Sequence, residues 1–159
     1  MPRRKYGTGD IFIIPMYDGR LAICQIIYAL RGSLRKALPF GVLHIGSEEQ
    51  LPDGHDGEFL TFQNHRGTFQ IIFGAASNIN KGSWRVTGHL PLTPEKEAMQ
   101  TFQSSTHLYH GDEYLGVLPQ EEWHKYPVLS VAGNERVQQY LAQYEQAASP
   151  VTNIDRKPI

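Results

Sequence analysis

Three apolar runs rich in β-branched residues, separated by turn signals, fix most of what this chain can fold into. Ile11-Phe12-Ile13-Ile14 ends at Pro15, which has no N–H to give a central ladder, so the run reads as a strand stopping there. Asp18-Gly19 follows, a dipeptide whose tolerance of positive φ closes tight hairpins, and the second run, Leu21 to Leu30, begins at once. A β-hairpin therefore opens the domain. The third run, Pro39 to Ile45, reads as another strand, with Gly41 at a bulge.

Further strands are expected at Phe59–Phe62, Thr68–Phe73 and Trp84–Gly88, the first two forming a hairpin around residues 64–67. Helical signals come late. Thr93-Pro94-Glu95 offers an N-cap threonine with proline at the first helical position, predicting a short helix through about Phe102. Val137, Tyr140, Leu141 and Tyr144 recur at the spacing of one apolar helical face, predicting a helix over 134–148 that packs on the sheet. These elements predict an α+β, mainly β fold. Its centre is an antiparallel, strongly curved sheet or SH3-like partial barrel of about six or seven strands, with a C-terminal helix packed on it. Residues 1–149 are expected to form one domain, and residues 150–159, with neither periodicity nor much apolar content, a mobile tail.

A chain of 159 residues can bury a core without metal or disulfide, and Cys24 is its only cysteine, so no internal disulfide is possible. Cys24 lies inside an apolar run and reads as a buried thiol, not a nucleophile. No stretch approaches the roughly 20 apolar residues that span a bilayer, and the basic start lacks the apolar core of a signal peptide. A cytoplasmic protein without membrane association is expected.

The formal charge of −1 hides an uneven distribution. Residues 1–36 carry a net +5, from seven basic side chains against Asp10 and Asp18. Residues 37–58 carry Glu48, Glu49, Asp53, Asp56 and Glu58 with no lysine or arginine, a net −5 that gives the segment a negative field. It reads either as a solvated loop or as a surface for a positively charged partner. The basic clusters Arg3-Arg4-Lys5 and Arg31, Arg35, Lys36 suit phosphate, but the near-neutral total and the matching acidic segment argue against nucleic acid.

No catalytic residues are expected. His107 and His110 fall three apart, which on a strand throws the rings to opposite faces, and no third ligand at a recognised spacing accompanies them; no metal site is expected. His55 stands between Asp53 and Asp56 in a glycine-containing segment that reads as a solvated loop. There is no nucleophile elbow, dinucleotide fingerprint or phosphate-binding loop, so no cofactor is expected.

The string Gly9-Asp10-Ile11-Phe12-Ile13-Ile14-Pro15-Met16, followed by Asp18-Gly19-Arg20, resembles the G-D-x-F-x-I-P-L, D-G-x opening of the Imm26 family of bacterial immunity proteins. Trp84-Arg85-Val86-Thr87-Gly88-His89-Leu90-Pro91-Leu92 resembles that family's W-x-I-x-G-x-x-P-L element, and the two motifs span about the first 92 residues. The resemblance implies an immunity protein that binds and neutralises a cognate toxin domain of a polymorphic or contact-dependent toxin system. Gly9, Asp10, Phe12, Pro15, Gly19, Trp84, Gly88 and Pro91 are then expected to shape the fold, and Glu48, Glu49, Asp53, Asp56 and Glu58 to meet the toxin. The G-D-I-x-x-x-P opening is also similar to the SH3-like barrels of the MazF and PemK ribonuclease toxins. The arginine-proline segment of those enzymes is missing here, as is a catalytic arginine with its serine or threonine. A small-ligand or nucleic-acid binding module is the third alternative.

Overall fold

The computed structural model describes residues 6–144. The basic residues 3–5, residues 145–148 of the expected C-terminal helix and the expected tail at 150–159 lie outside this range. A five-stranded antiparallel sheet forms the centre, built from β1 (Asp10–Pro15), β2 (Leu21–Ile26), β3 (Ala37–Gly46), β6 (Ile71–Ala75) and β7 (Arg85–His89), in the order β6-β3-β2-β1-β7. The β1–β2 hairpin turns at Asp18-Gly19 as expected: Gly19 has φ of +95° and Asp18 accepts from the backbone N–H of Arg20 at 3.0 Å.

The near-continuous apolar runs are explained by burial on both faces, since a strand open to water on one side would alternate. One face carries Phe12, Ile14, Cys24, Ile26, Phe40, Val42 and Trp84; the other carries Ile11, Ile13, Ile23, Ile27 and Leu43. The first face is covered by α3 (Asn134–Leu141), through fully buried Val137 and Leu141, and by the small hairpin of β4 (Phe62–Asn64) and β5 (Gly67–Phe69). The second is covered by the segment 47–61, through Leu51 and Phe59, and by the region of α2 (Pro94–Ala98), through Leu92 and Met99. The sheet is open, with β6 and β7 at its edges.

Helix α3 presents the expected face. Tyr140 meets Phe69 with ring centroids 5.0 Å apart, and just beyond the helix Tyr144 meets Phe62 at 5.4 Å. Gln138 on α3 ties down the first hairpin, donating to the Pro15 carbonyl at 2.9 Å and accepting from the Tyr17 N–H at 3.0 Å.

Several details differ from the sequence expectation. The strands number ten among the described residues, in three antiparallel sheets of five, three and two. The expected strand Thr68–Phe73 breaks at Gln70, so β5 pairs only with β4 while β6 joins the main sheet. Helix α2 stops at Ala98, well short of Phe102, because the chain re-extends into β8 (Thr101–Ser104) and places Phe102 in a third cluster with Leu30, Ala37 and Phe73. Strand β8 continues through β9 (His107–His110) to β10 (Glu113–Val117) as a meander whose first turn holds Ser105 and Thr106 at φ of 52° and 66°. Gly41 is not a bulge: it pairs in register with Gln25, and the extra residue of β3 is Leu43, between Val42 opposite Cys24 and His44 opposite Ile23. Gly41 is required for a different reason, since a Cβ there would come within 2.5 Å of the Phe59 ring.

Candidate functional site

The motif residues from the two ends of the resemblance meet in space. Strand β1 pairs with β7 in antiparallel register, Asp10 opposite His89 and Ile11 opposite Gly88. Gly9 has φ of +91°, and a Cβ there would meet the Leu90 carbonyl at 2.7 Å; the Leu90 N–H donates to the Gly9 carbonyl at 3.0 Å. Asp10 accepts from the Gly7 N–H at 2.8 Å and meets His89 Nδ1 at 2.9 Å. Two residues further along β1, Phe12 stacks on Trp84 at 5.6 Å, and Phe40 sits edge-on to both rings. Pro15 is exposed at the end of β1, Pro91 is exposed two residues beyond β7, and Gly19 forms the hairpin turn. The region thus consists of turns, the Asp10–His89 side-chain pair and a buried aromatic cluster.

The five acids expected to meet a partner are all exposed, on the segment joining β3 to β4. Its backbone is held. His55, expected in a solvated loop, turns its half-buried ring back under the segment: Nε2 lies 2.8 Å from the Leu43 carbonyl, and the Gly57 N–H donates to Nδ1 at 2.9 Å. Gly54 and Gly57, both at φ of +80°, make the turns on either side of the ring possible. Asp56 accepts from the Glu58 N–H at 2.9 Å. Glu49 is the acid with an arginine partner, Arg85 of β7, at 2.6 Å; Glu48, Asp53 and Glu58 make no ion pair among the described residues.

Beneath this segment lies a polar network that the sequence reading missed. Gln25 is fully buried in β2; its amide donates to the Leu90 carbonyl at 2.8 Å, and its oxygen accepts from Lys96 Nζ at 2.8 Å. Lys96, on α2 and only 8% exposed, also lies 4.2 Å over the Phe59 ring. Burial lowers the Lys96 pKa from its ordinary value, opposed by the nearby negative charges of Glu58 and then Asp56. Two of the five acids thus also serve as counter-charges for an internal cation.

His44 faces His55 edge-on, with ring centroids 6.0 Å apart. Burial first, then the charge of His55, holds His44 below its ordinary value of 6.5. Because the unfolded chain takes up this proton more readily, the site contributes its full stability above about pH 6.5 and loses it as pH falls toward the lower folded value. Urea unfolding from about pH 7.5 down to about pH 5.5 should show falling stability, and His44→Gln should flatten part of that slope. A slope unchanged in the variant would remove His44 from the account.

The two histidines of β9 make separate contacts. On β9, His107 meets the Tyr114 hydroxyl at 2.9 Å and His110 meets Thr101 Oγ1 at 2.8 Å, and among the described residues no three His, Cys, Asp or Glu side chains gather to hold a metal. Cys24 is buried, with its thiol pKa pushed well up by burial. A second acidic segment, 111–124, is differently employed. Asp112 accepts from the Arg31 N–H at 2.8 Å and Glu122 pairs with Lys125 at 2.9 Å, while Tyr114, Leu115 and Val117 of β10 are exposed. No described helix is long and apolar enough to cross a membrane. Comparison with family models, with curated proteins and with solved structures found no match.

Proposed function

We propose that this chain acts by binding rather than catalysis, as an immunity protein that neutralises a cognate toxin domain, and that the 47–58 segment meets a basic face of that toxin. The observation that carries the reading is the presentation of Glu48, Glu49, Asp53, Asp56 and Glu58. All five are exposed on a segment whose backbone is already tied to β3 through His55. A preorganised negative surface loses little conformational freedom on binding and steers a cationic partner into encounter. The likeness of the Gly9–Arg20 and Trp84–Leu92 segments to the immunity family supports the same reading, and their place in the fold leaves the connecting loops free for recognition.

The test is co-expression. A toxin domain encoded beside this chain is produced alone and together with it; the reading expects growth arrest by the toxin alone, rescue by the chain, and co-purification of the two. Failure of both rescue and co-purification would refute it.

A further inference from the structure

His55 uses its two ring nitrogens in opposite senses. The Gly57 N–H donates to Nδ1, so Nδ1 is the acceptor, and Nε2 carries the proton given to the Leu43 carbonyl. Leu43 is the extra residue of the β3 bulge, where the ladder to β2 is interrupted, so the ring joins the segment to the sheet at an irregular point of the strand. A neutral imidazole satisfies both contacts. An imidazolium is a donor at both nitrogens and can no longer accept from Gly57.

We propose that His55 is a proton-sensitive latch: neutral, it closes the turn at residues 54–58; protonated, it releases Gly57 and opens that turn. The carboxylates around it favour the protonated state, and the neighbouring His44 and Lys96 oppose it. Asp56 Oδ1 lies 4.0 Å from Nδ1, close enough to take the new N–H once Gly57 has been let go. From β3, the His44 ring packs edge-on against His55, so the pair is poorly suited to two charges at once. From α2, Lys96 lies over Phe59, and Glu58 and Asp56 partly offset its charge. Opening of the turn displaces Asp56 and Glu58 and so alters the negative surface. Its effect on a partner rests on the binding reading above, whereas the latch is a property of the free protein.

The experiment is nuclear magnetic resonance on the free, full chain at about pH 8 and about pH 5.5, the range in which histidines change charge. At the higher pH, the imidazole ¹⁵N shifts of His55 should report an unprotonated Nδ1 and a protonated Nε2. On acidification, protection of the Gly57 amide, corrected for intrinsic exchange, should fall about tenfold, while the Phe40 and Val42 amides keep theirs. His55→Phe, which keeps a ring but neither hydrogen bond, should leave Gly57 poorly protected at both pH values. Equal Gly57 protection at the two pH values in the wild type, or a proton on Nδ1 at the higher one, would overturn the latch. Both readouts are taken without a partner, so they stand or fall separately from the toxin-binding reading.

Discussion

Truncating Phe12 or Trp84 to alanine should destabilise the domain by about 3–5 kcal/mol each, the range for removing a buried aromatic side chain and leaving a cavity. Phe12 is fully buried and Trp84 is 2% exposed, and with Phe40 they form a cluster of three mutually contacting rings with centroids 5.2 to 5.7 Å apart. The three rings share one face of the sheet, reaching it from β1, from β3 on the other side of β2, and from the residue before β7. Because the two rings touch, the double variant should lose less than the sum of the single losses. Equilibrium unfolding in urea reads all three. A near wild-type midpoint for both single variants would mean that this cluster is not what holds the motif segments together.

The second large effect is expected at Gln25. Gln25→Leu removes the acceptor for Lys96 Nζ and the donor for the Leu90 carbonyl in one step, leaving a buried ammonium and a part-buried carbonyl without those partners. The cost should be about 2–4 kcal/mol, since an abandoned buried charge costs more than an abandoned neutral group. Adding Lys96→Met should recover much of that loss, because removing the charge as well ends its desolvation penalty. If Gln25→Leu costs under about 1 kcal/mol, or if the second substitution deepens the loss, the network is not the structural tie described.

The strong parts of the fold were legible because they rest on local rules. Asp18-Gly19 between apolar runs specified the opening hairpin, and the Val137, Tyr140, Leu141, Tyr144 spacing specified the face of α3. The three-stranded sheet was not legible. Its strands are short and partly exposed, and Ser105-Thr106 takes positive φ without the glycine or asparagine that normally announces such a turn. Lys96 reads in sequence as a solvent-facing helical lysine, since only tertiary packing places Phe59 and Gln25 around it. Gln25 did carry a signal: a polar residue inside a run buried on both faces needs a partner, although the sequence does not say which. The acidic segment was visible from composition. Its rigidity was not, because the His55 contacts to Leu43 and Gly57 depend on where a bulge falls in β3.

The binding reading is tested most directly by association kinetics. A toxin domain that this chain neutralises on co-expression is mixed with the wild type and with a variant carrying Gln or Asn at Glu48, Glu49, Asp53, Asp56 and Glu58, at low and at high salt. The variant is first shown to be folded by its unfolding curve. The account predicts slower association and weaker binding for the variant, with the larger difference at low salt, because steering is screened over a Debye length of about 10 Å at 0.1 M. A folded variant that binds with unchanged rate and affinity at both salt concentrations would contradict it and move the interface away from the 47–58 segment.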